Sequence, residues 1–396
     1  MQLPQVGRVA AAIEQLSTRL QTVDQERVPN ALAAGRILAE NLIADRPSPA
    51  LDVSAMDGYA LKLHGSLPPT LPVQSTAPAG SPPQTLQPGH AIRIFTGAAV
   101  PMGANCIVRR EDTIEHRDKV QLTIPITEMQ PGQNIRRQGE NSPQGAKLLA
   151  RGSIVEAASI AAVASFGARD LRVYRTVRVA VLNTGDELAE PGAAVEAWQI
   201  RDSNGPTLAA WLSQLSWVTT TQRQRVADTL SSVQAALAEQ LEQSDAIILT
   251  GGVSMGDTDY VPAAIESLGG EIVFHRLPIR PGKPVLGAVL KGKLILGLPG
   301  NPVSVAVTAR VLGEPLLRKL AGCECAAPRL SVQLTESDGK RIDLTWFRLV
   351  NINAHGELHL AQSQGSGDLV SLSQSCGFVE IPPGENGQGP VRLTLW

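Results

Sequence analysis

Apolar residues recur at helical spacing near the start of the chain. They predict a helix over residues 6–20 whose apolar face carries Val9, Ile13, Leu16 and Leu20. A second helix is predicted over Pro29–Ile43, because proline is favoured at the first helical position.

The pattern changes between Arg46 and Ser142. Prolines are concentrated in residues 68–88, and short runs typical of strands occupy residues 91–95, 105–109 and 119–126. This segment is predicted to form a small β-rich domain.

From residue 177 onward, strand and helix patterns alternate with short connections. Strands are predicted at 177–182, 245–250, 271–275 and 293–297, and helices beginning at Asp202 and Asp228, over 258–268 and over Asn301–Leu320. This alternation is typical of an α/β domain with a mainly parallel sheet. The last 70 or so residues, from Pro328, are predicted to be β-rich again.

Composition limits the classes of function. The chain has 396 residues, with 35 Lys and Arg against 37 Asp and Glu, so its net charge is −2. Dedicated nucleic-acid binders usually carry a basic surplus. Aromatic residues make up only 3% of the chain, which disfavours stacking platforms for bases or sugars.

The chain carries no pattern typical of export or membrane insertion. Its N-terminus lacks a basic segment followed by an apolar one, and no apolar run approaches the ~18 residues of a membrane span. Cys106, Cys323, Cys325 and Cys376 do not suggest a disulfide framework, and the Cys-x-Cys spacing does not match a zinc site. We therefore expect a soluble, cytoplasmic protein with incidental thiols.

Unusual residues follow three predicted strands of the α/β domain. Thr184–Glu187 follow the first, Gly251–Ser254 with Asp257 and Asp259 follow the second, and Leu298–Pro302 follow the third. Tandem glycines can direct backbone N–H groups toward an anion, and parallel strands end at one edge of a sheet. Each loop also has a purely structural interpretation, such as a tight turn at the glycines or a helix cap at Asn301.

A rigid basic loop supplies the opposite charge. Arg276, Arg280 and Lys283 lie within the nine residues Arg276–Pro284, which also contain three prolines and a glycine. An oxyanion or polyphosphate would offset their mutual repulsion. Glu187, Asp228 and Asp259 are hard oxygen ligands suited to Mg²⁺. Together these residues predict a site for a phosphorylated ligand with a divalent metal.

The motifs, taken in order, resemble those of the molybdopterin molybdenumtransferases, which include the bacterial MoeA proteins and the E domain of gephyrin. The resemblance runs from about residue 40 to 380 and rests on SAMDGYA, RIFTGAAVPMGAN, IRRQGEN, NTGDEL, RDSN, LTGGVSMGDTDY, RPGKP, LPGNPVS and QGSGDLVSL. It implies Mg²⁺-dependent cleavage of adenylylated molybdopterin, release of AMP and insertion of molybdate into the dithiolene. It also implies a homodimer and transient contact with a molybdopterin adenylyltransferase, with no nucleic acid or membrane partner.

The resemblance also implies four structural segments. They are an elongated connector (27–45 and 146–176), a β-rich domain (46–145), a three-layer α/β domain that binds molybdopterin (6–26 and 177–326) and a C-terminal β-barrel-like domain (327–396).

The family's functional positions can be transferred motif by motif. Catalytic roles fall on Asp57, Thr96, Glu187, Asp228 and Asp259, of which the last three would also hold the metal. Substrate or molybdate binding falls on Gly251, Gly252, Ser254, Arg276, Arg280, Lys283, Arg348 and Ser366. Asp57, Thr96, Arg348 and Ser366 are assigned only by the resemblance.

Some positions depart from the family pattern, and two rival functions stay open. Arg276 and Arg280 stand where the family often has lysine, and Asn141 stands where it often has aspartate. Arginine keeps the charge, so oxyanion binding is expected to survive. One rival is a paralogue that prefers tungstate, and the other is a scaffold that has lost catalysis.

Overall fold

The computed structural model describes residues 7–65, 67–254, 256, 259–325 and 330–396. The described residues divide into two compact units, the first comprising residues up to Glu40, Arg151–Ile160 and Arg169–Trp396, and the second comprising Asn41–Ala150 and Ala161–Ala168. Both α-helices and β-sheets are present, as predicted. None of the described helices is long and apolar enough to cross a membrane.

The α-helices are α1 (Val9–Ser17), α2 (Ala157–Ser165), α3 (Asn204–Ser213), α4 (Leu230–Gln243), α5 (Val261–Ser267), α6 (Pro302–Thr308), α7 (Glu314–Leu320) and α8 (Leu369–Gln374). A π-helical turn, Ala309–Gly313, joins α6 to α7, so the helix predicted over Asn301–Leu320 is confirmed.

The strands before the α/β domain are β1 (Gln25–Pro29), β2 (Ile37–Leu38), β3 (Leu42–Ile43), β4 (Val53–Ser54), β5 (Gly58–Leu61), β6 (Thr70–Ala77), β7 (Ala91–Ile94), β8 (Cys106–Arg109), β9 (Thr113–Glu115), β10 (Lys119–Leu122), β11 (Ile135–Arg136), β12 (Lys147–Leu149) and β13 (Asp170–Tyr174). The later strands are β14 (Val177–Thr184), β15 (Leu188–Ala189), β16 (Ile200–Arg201), β17 (Val218–Val226), β18 (Ala246–Thr250), β19 (Glu271–His275), β20 (Ile279–Arg280), β21 (Leu286–Leu290), β22 (Lys293–Leu298), β23 (Leu330–Gln333), β24 (Thr345–Ile352), β25 (Leu358–Leu360), β26 (Gly377–Ile381) and β27 (Pro390–Leu395).

The helix predicted over Pro29–Ile43 is wrong. This segment forms a 3-10 turn at Asn30–Leu32 and the short strands β2 and β3 instead, and β2 pairs with β13, as does the preceding strand β1. Between β1 and β2 the chain turns at Gly35, whose φ is +78°, and a Cβ there would lie 2.2 Å from Oγ of Ser216. Tertiary pairing therefore overrides the local helical pattern.

The second unit contains a six-stranded sheet in the order β8-β5-β7-β6-β10-β9. Its strands include the three runs predicted near residues 91, 105 and 119, so the β-rich prediction is confirmed. A buried cluster that includes Tyr59, Leu71 and Val108 packs on this sheet.

The first unit is built around a six-stranded sheet in the order β17-β14-β18-β22-β21-β19. The first four strands are parallel, and β21 and β19 continue the sheet as antiparallel strands. Successive side chains of a strand point to opposite faces. In β14, Val179 and Val181 join one buried cluster, and Ala180 and Leu182 join the other. Cores therefore form on both faces of the sheet.

The parallel strands end together, as predicted. Asn183 lies opposite Thr250, and Thr250 lies opposite Leu298. The loops after β14, β18 and β22 consequently emerge at one edge of the sheet. The sequence pattern did not predict β17 or β21.

The C-terminal segment forms a further sheet in the order β20-β24-β26-β27-β23, with β25 paired to β24. The predicted β-rich character of the last 70 residues is confirmed. The strand β20 precedes this segment in sequence but pairs with β24, so the basic loop joins the C-terminal sheet.

Candidate functional site

A cleft of about 1210 Å³ opens within the first unit, and we term it the basic cleft. It is lined by the basic loop, the loop before α6, the loop before β24, the strand β24 itself and the loop before α8. Four residues predicted to bind molybdate line it together, namely Arg280, Lys283, Arg348 and Ser366.

Arg348 and Trp346 extend into the cleft from the same face of β24. Residues two apart on a strand share a face, and the Arg348 guanidinium carbon lies 4.3 Å from the Trp346 ring centroid. Arg280 is in register with Trp346 on the neighbouring strand β20, and its guanidinium carbon lies 5.3 Å from the same centroid. The indole thus contacts both guanidinium groups.

The arginines differ in their ion pairing. Nη1 of Arg348 donates to Oδ1 of Asp338 at 2.8 Å, and this hydrogen bond holds the pKa of Asp338 below its usual range. Among the described residues, Arg280 and Lys283 have no carboxylate partner within 4.0 Å. Both of these side chains are exposed. The cleft therefore offers cations that an anionic ligand can neutralise.

Ser366, which also lines the cleft, is held in place by residues at the start of α6. Asn301 precedes α6, but its side chain does not cap that helix. Its Nδ2 instead donates to Oγ of Ser366 at 2.9 Å, and the N–H of Val303 donates to the Ser366 carbonyl at 3.0 Å. The cap interpretation of Asn301 is replaced by a role in fixing the Ser366 loop.

Carboxylates cluster at the edge of the parallel sheet, where β14 and β17 end. The N–H of Asp228 donates to Oδ1 of Asp186 at 3.2 Å. Burial raises the pKa of Asp228, and the negative charges of Asp186 and Glu187 raise it further. A nearby cation would relieve this repulsion, and these oxygen donors suit Mg²⁺.

The predicted metal ligands do not form a complete protein cage. In the described part of the chain, no three His, Cys, Asp or Glu side chains are close enough to hold a metal ion together. Oδ2 of Asp259 accepts from the N–H of Gly256 at 2.6 Å. Asp259 precedes α5 rather than lying in its first turn, and Asp257 lies outside the described residues.

The tandem glycines after β18 make a tight turn. Both have positive φ, +81° at Gly251 and +62° at Gly252, and a Cβ at Gly251 would lie 2.6 Å from the carbonyl oxygen of Thr184. The Gly251 N–H donates to the Leu298 carbonyl at 3.2 Å, so the turn interpretation accounts for this residue. Ser254 is exposed beyond the turn. Contact of Gly252 and Ser254 with a phosphate stays a prediction.

Arg276 is separate from the other residues of the basic loop. It is half-buried with a φ of +71°, its N–H donates to the Val285 carbonyl at 2.8 Å, and it does not line the basic cleft.

Asp57 and Thr96 form a contact within the second unit. Oδ1 of Asp57 accepts from the Thr96 N–H at 2.8 Å and from the Thr96 hydroxyl at 2.7 Å. These hydrogen bonds, the backbone one first, lower the pKa of Asp57. These hydrogen bonds therefore join the two motifs that carry the residues, and they favour the ionised form of the Asp57 carboxylate.

Sequence reasoning missed several residues of the basic cleft. The only signal for Trp346 in the sequence is its position two residues before Arg348. Asp338 lies in an Asp-Gly pair that is typical of a turn. Lys340 also lines the cleft, and its Nζ lies 3.5 Å from Oδ2 of Asp338. No spacing along the chain indicated that these residues meet.

Comparisons with known proteins agree with the motif resemblance. Residues 8–167 match the MoeA N-terminal region (domain I and II), and residues 180–319 match a probable molybdopterin binding domain. A molybdopterin molybdenumtransferase of Nostoc sp. is 35% identical over 97% of this chain and 91% of its own length. One of Haemophilus influenzae is 38% identical over 73% of this chain and 71% of its own. A solved molybdopterin biosynthesis moeA protein of Pyrococcus horikoshii superposes with a TM-score of 0.83 at 25% identity, covering 99% of this chain and all of that one.

Proposed function

Because the chain belongs to the molybdopterin molybdenumtransferase family, and is thus a transferase of molybdenum cofactor biosynthesis, we propose that it inserts molybdate into adenylylated molybdopterin with release of AMP. One observation carries this proposal. Arg280, Lys283, Arg348 and Ser366, which the family resemblance assigns to substrate or molybdate binding, line one cleft.

The basic cleft would receive the oxyanion. Arginine can bind an oxyanion through two parallel N–H groups, and lysine adds a compact positive charge. No carboxylate among the described residues forms an ion pair with Arg280 or Lys283, so their positive charge is available to the incoming anion. The Ser366 hydroxyl, oriented by Asn301, can hydrogen-bond one oxygen.

The carboxylate cluster would hold Mg²⁺. Mg²⁺ commonly takes one or two protein carboxylates and completes its shell with substrate phosphates and water. Glu187 and Asp228 are the two ligands we propose, and the charge of Asp186 beside them adds to the attraction for the cation. When bound, Mg²⁺ would neutralise charge on the phosphoanhydride. Asp259 would orient the attacking water.

The decisive experiment is AMP release from adenylylated molybdopterin, with and without Mg²⁺ and molybdate. We expect AMP release to require Mg²⁺. Lys283→Gln should weaken molybdate binding. The control is Lys319→Gln, at an exposed lysine outside the cleft, which should leave molybdate binding unchanged. Absence of AMP release from the wild type would favour the scaffold alternative. Competitive binding of molybdate and tungstate tests which of the two oxyanions the protein prefers.

Asp259→Asn tests the water-orienting role. The asparagine oxygen can still accept from Gly256, so the loop should keep its shape, whereas loss of charge should slow single-turnover AMP release ~10²-fold, about 2.7 kcal/mol in the barrier. An unchanged rate would remove Asp259 from the mechanism.

A homodimer and contact with an adenylyltransferase belong to the same proposal, and light scattering tests the dimer.

A further inference from the structure

Cys323 and Cys325 bring two free thiols together directly after α7. Their Sγ atoms lie 3.0 Å apart. A disulfide bond of about 2.05 Å would need the sulfurs to approach by only about 1 Å. Their Cys-x-Cys spacing does not match the ligand spacing of four-cysteine zinc sites. The mechanism proposed above does not use either cysteine.

A fixed cation faces both sulfurs. Nη1 of Arg318 lies 3.3 Å from Sγ of Cys323 and 4.0 Å from Sγ of Cys325. The guanidinium is held in place because its Nε donates to Oε1 of Glu314 at 3.1 Å and it lies over the Trp217 ring at 6.0 Å. A neighbouring guanidinium stabilises a thiolate and so favours thiol chemistry.

The two thiols differ in exposure. Cys325 is exposed, whereas Cys323 is half-buried, and burial together with the neighbouring Cys325 raises the pKa of Cys323 to about 11. The backbone between them is anchored, since the N–H of Cys323 donates to the Arg318 carbonyl at 2.9 Å and that of Glu324 to the Gly152 carbonyl at 3.0 Å. Cys325 is therefore the thiol that an external reagent meets first.

We propose that Cys323 and Cys325 form a reversible redox site that takes a small-molecule disulfide as its oxidant. The Cys325 thiolate attacks one sulfur of the oxidant, forms a mixed disulfide and releases one thiolate. Cys323 then loses its proton to solvent, its thiolate attacks the Cys325 sulfur, and the second thiolate leaves. In total, two protein thiols lose two electrons and two protons, and one disulfide becomes two thiols.

The test exposes the full-length protein to oxidised glutathione, alkylates the remaining thiols and identifies the modified peptides by mass spectrometry. In the wild type we expect Cys323 and Cys325 to be linked to each other and protected from alkylation, and reduced glutathione to reverse the linkage. In Cys323→Ser, which lacks the second thiol, the glutathione adduct should accumulate on Cys325.

Matched variants separate this chemistry from general thiol reactivity. Cys376→Ser removes a half-buried thiol elsewhere and should leave the result unchanged. Arg318→Gln removes the cation that faces both sulfurs and should slow formation of the linkage; a melting curve checks that the variant is folded. Alkylation of both cysteines in oxidised wild type, or a glutathione adduct that persists on Cys325 with Cys323 free, would overturn the proposal.

Discussion

Inside the basic cleft, Arg348 is hydrogen-bonded to Asp338, with Nη1 and Oδ1 2.8 Å apart. The pair is mostly shielded, since the Arg348 side chain is 15% exposed and that of Asp338 30%. Asp338 thus occupies a guanidinium that we assign to molybdate. An arriving oxyanion must share Arg348 with this carboxylate or displace it.

Asp338→Asn is therefore expected to tighten molybdate binding. Removal of one competing negative charge at a partly shielded pair should increase affinity about three- to tenfold, equivalent to about 0.7–1.4 kcal/mol. Calorimetric titration of molybdate at low salt measures this change. Asp343→Asn, an exposed aspartate close by in sequence, is the control and should have little effect. Weaker binding by Asp338→Asn would show that Asp338 mainly orients Arg348.

Trp346 is expected to position both guanidinium groups for the anion. Cation–π contacts are worth about 0.5–1 kcal/mol each at exposed sites, so Trp346→Leu, which removes two of them, should weaken molybdate binding by at most about 30-fold. Trp346→Phe keeps an aromatic face and should recover much of the affinity. Trp198→Leu, at a tryptophan that is 67% exposed, serves as the control. Equal affinities for the Leu and Phe variants, with both proteins folded, would rule out the aromatic contact.

The hydroxyl of Thr96 is expected to tune the acidity of Asp57. Thr96→Val removes one of the two hydrogen bonds to Oδ1, so the pKa of Asp57 should rise. It should stay below the usual range because the backbone N–H, the larger of the two influences, is retained. Carboxyl ¹³C chemical shifts followed over pH give the value. Thr96→Ser should behave like the wild type, and a Thr96→Val protein with an unchanged pKa would contradict the hydrogen-bond assignment.

Asp228 is expected to make folding stability fall as pH rises. Its pKa in the folded protein is raised above the ordinary value of 3.8, so the folded state holds its proton more tightly than the unfolded state. The resulting stabilisation is present below pH 3.8 and is lost as pH rises through the folded pKa.

Asp228→Asn should consequently have the higher melting temperature at pH 7 and no advantage below pH 3.8. Addition of Mg²⁺ should stabilise the wild type at pH 7 more than the variant, since a bound cation offsets the same repulsion. Melting curves over pH, with and without Mg²⁺, test both expectations. A variant less stable than the wild type at neutral pH would show that the Asp228 carboxylate is stabilising instead.

Much of the α/β unit could be predicted from local patterns. Helices α3 and α4 follow apolar periodicity, and the residues after β14, β18 and β22 could be placed at one sheet edge because parallel strands end together. For the segment 29–43, the same use of local patterns gave a wrong prediction. Its alanines and spaced apolar residues favour a helix, yet pairing with β13 is a distant interaction that local periodicity does not encode.

The sequence by itself determined the family, the chemical types of the candidate residues and the rigid basic loop that carries Arg280 and Lys283. Only the tertiary structure decided which residues surround that loop. The pairing of β20 with β24 places Arg280 opposite Trp346, and a shift of one residue would turn Trp346 to the other face of the sheet. Strand partners and register depend on packing between distant segments, so no spacing along the chain could reveal that Arg280, Trp346, Arg348 and Asp338 share one cleft.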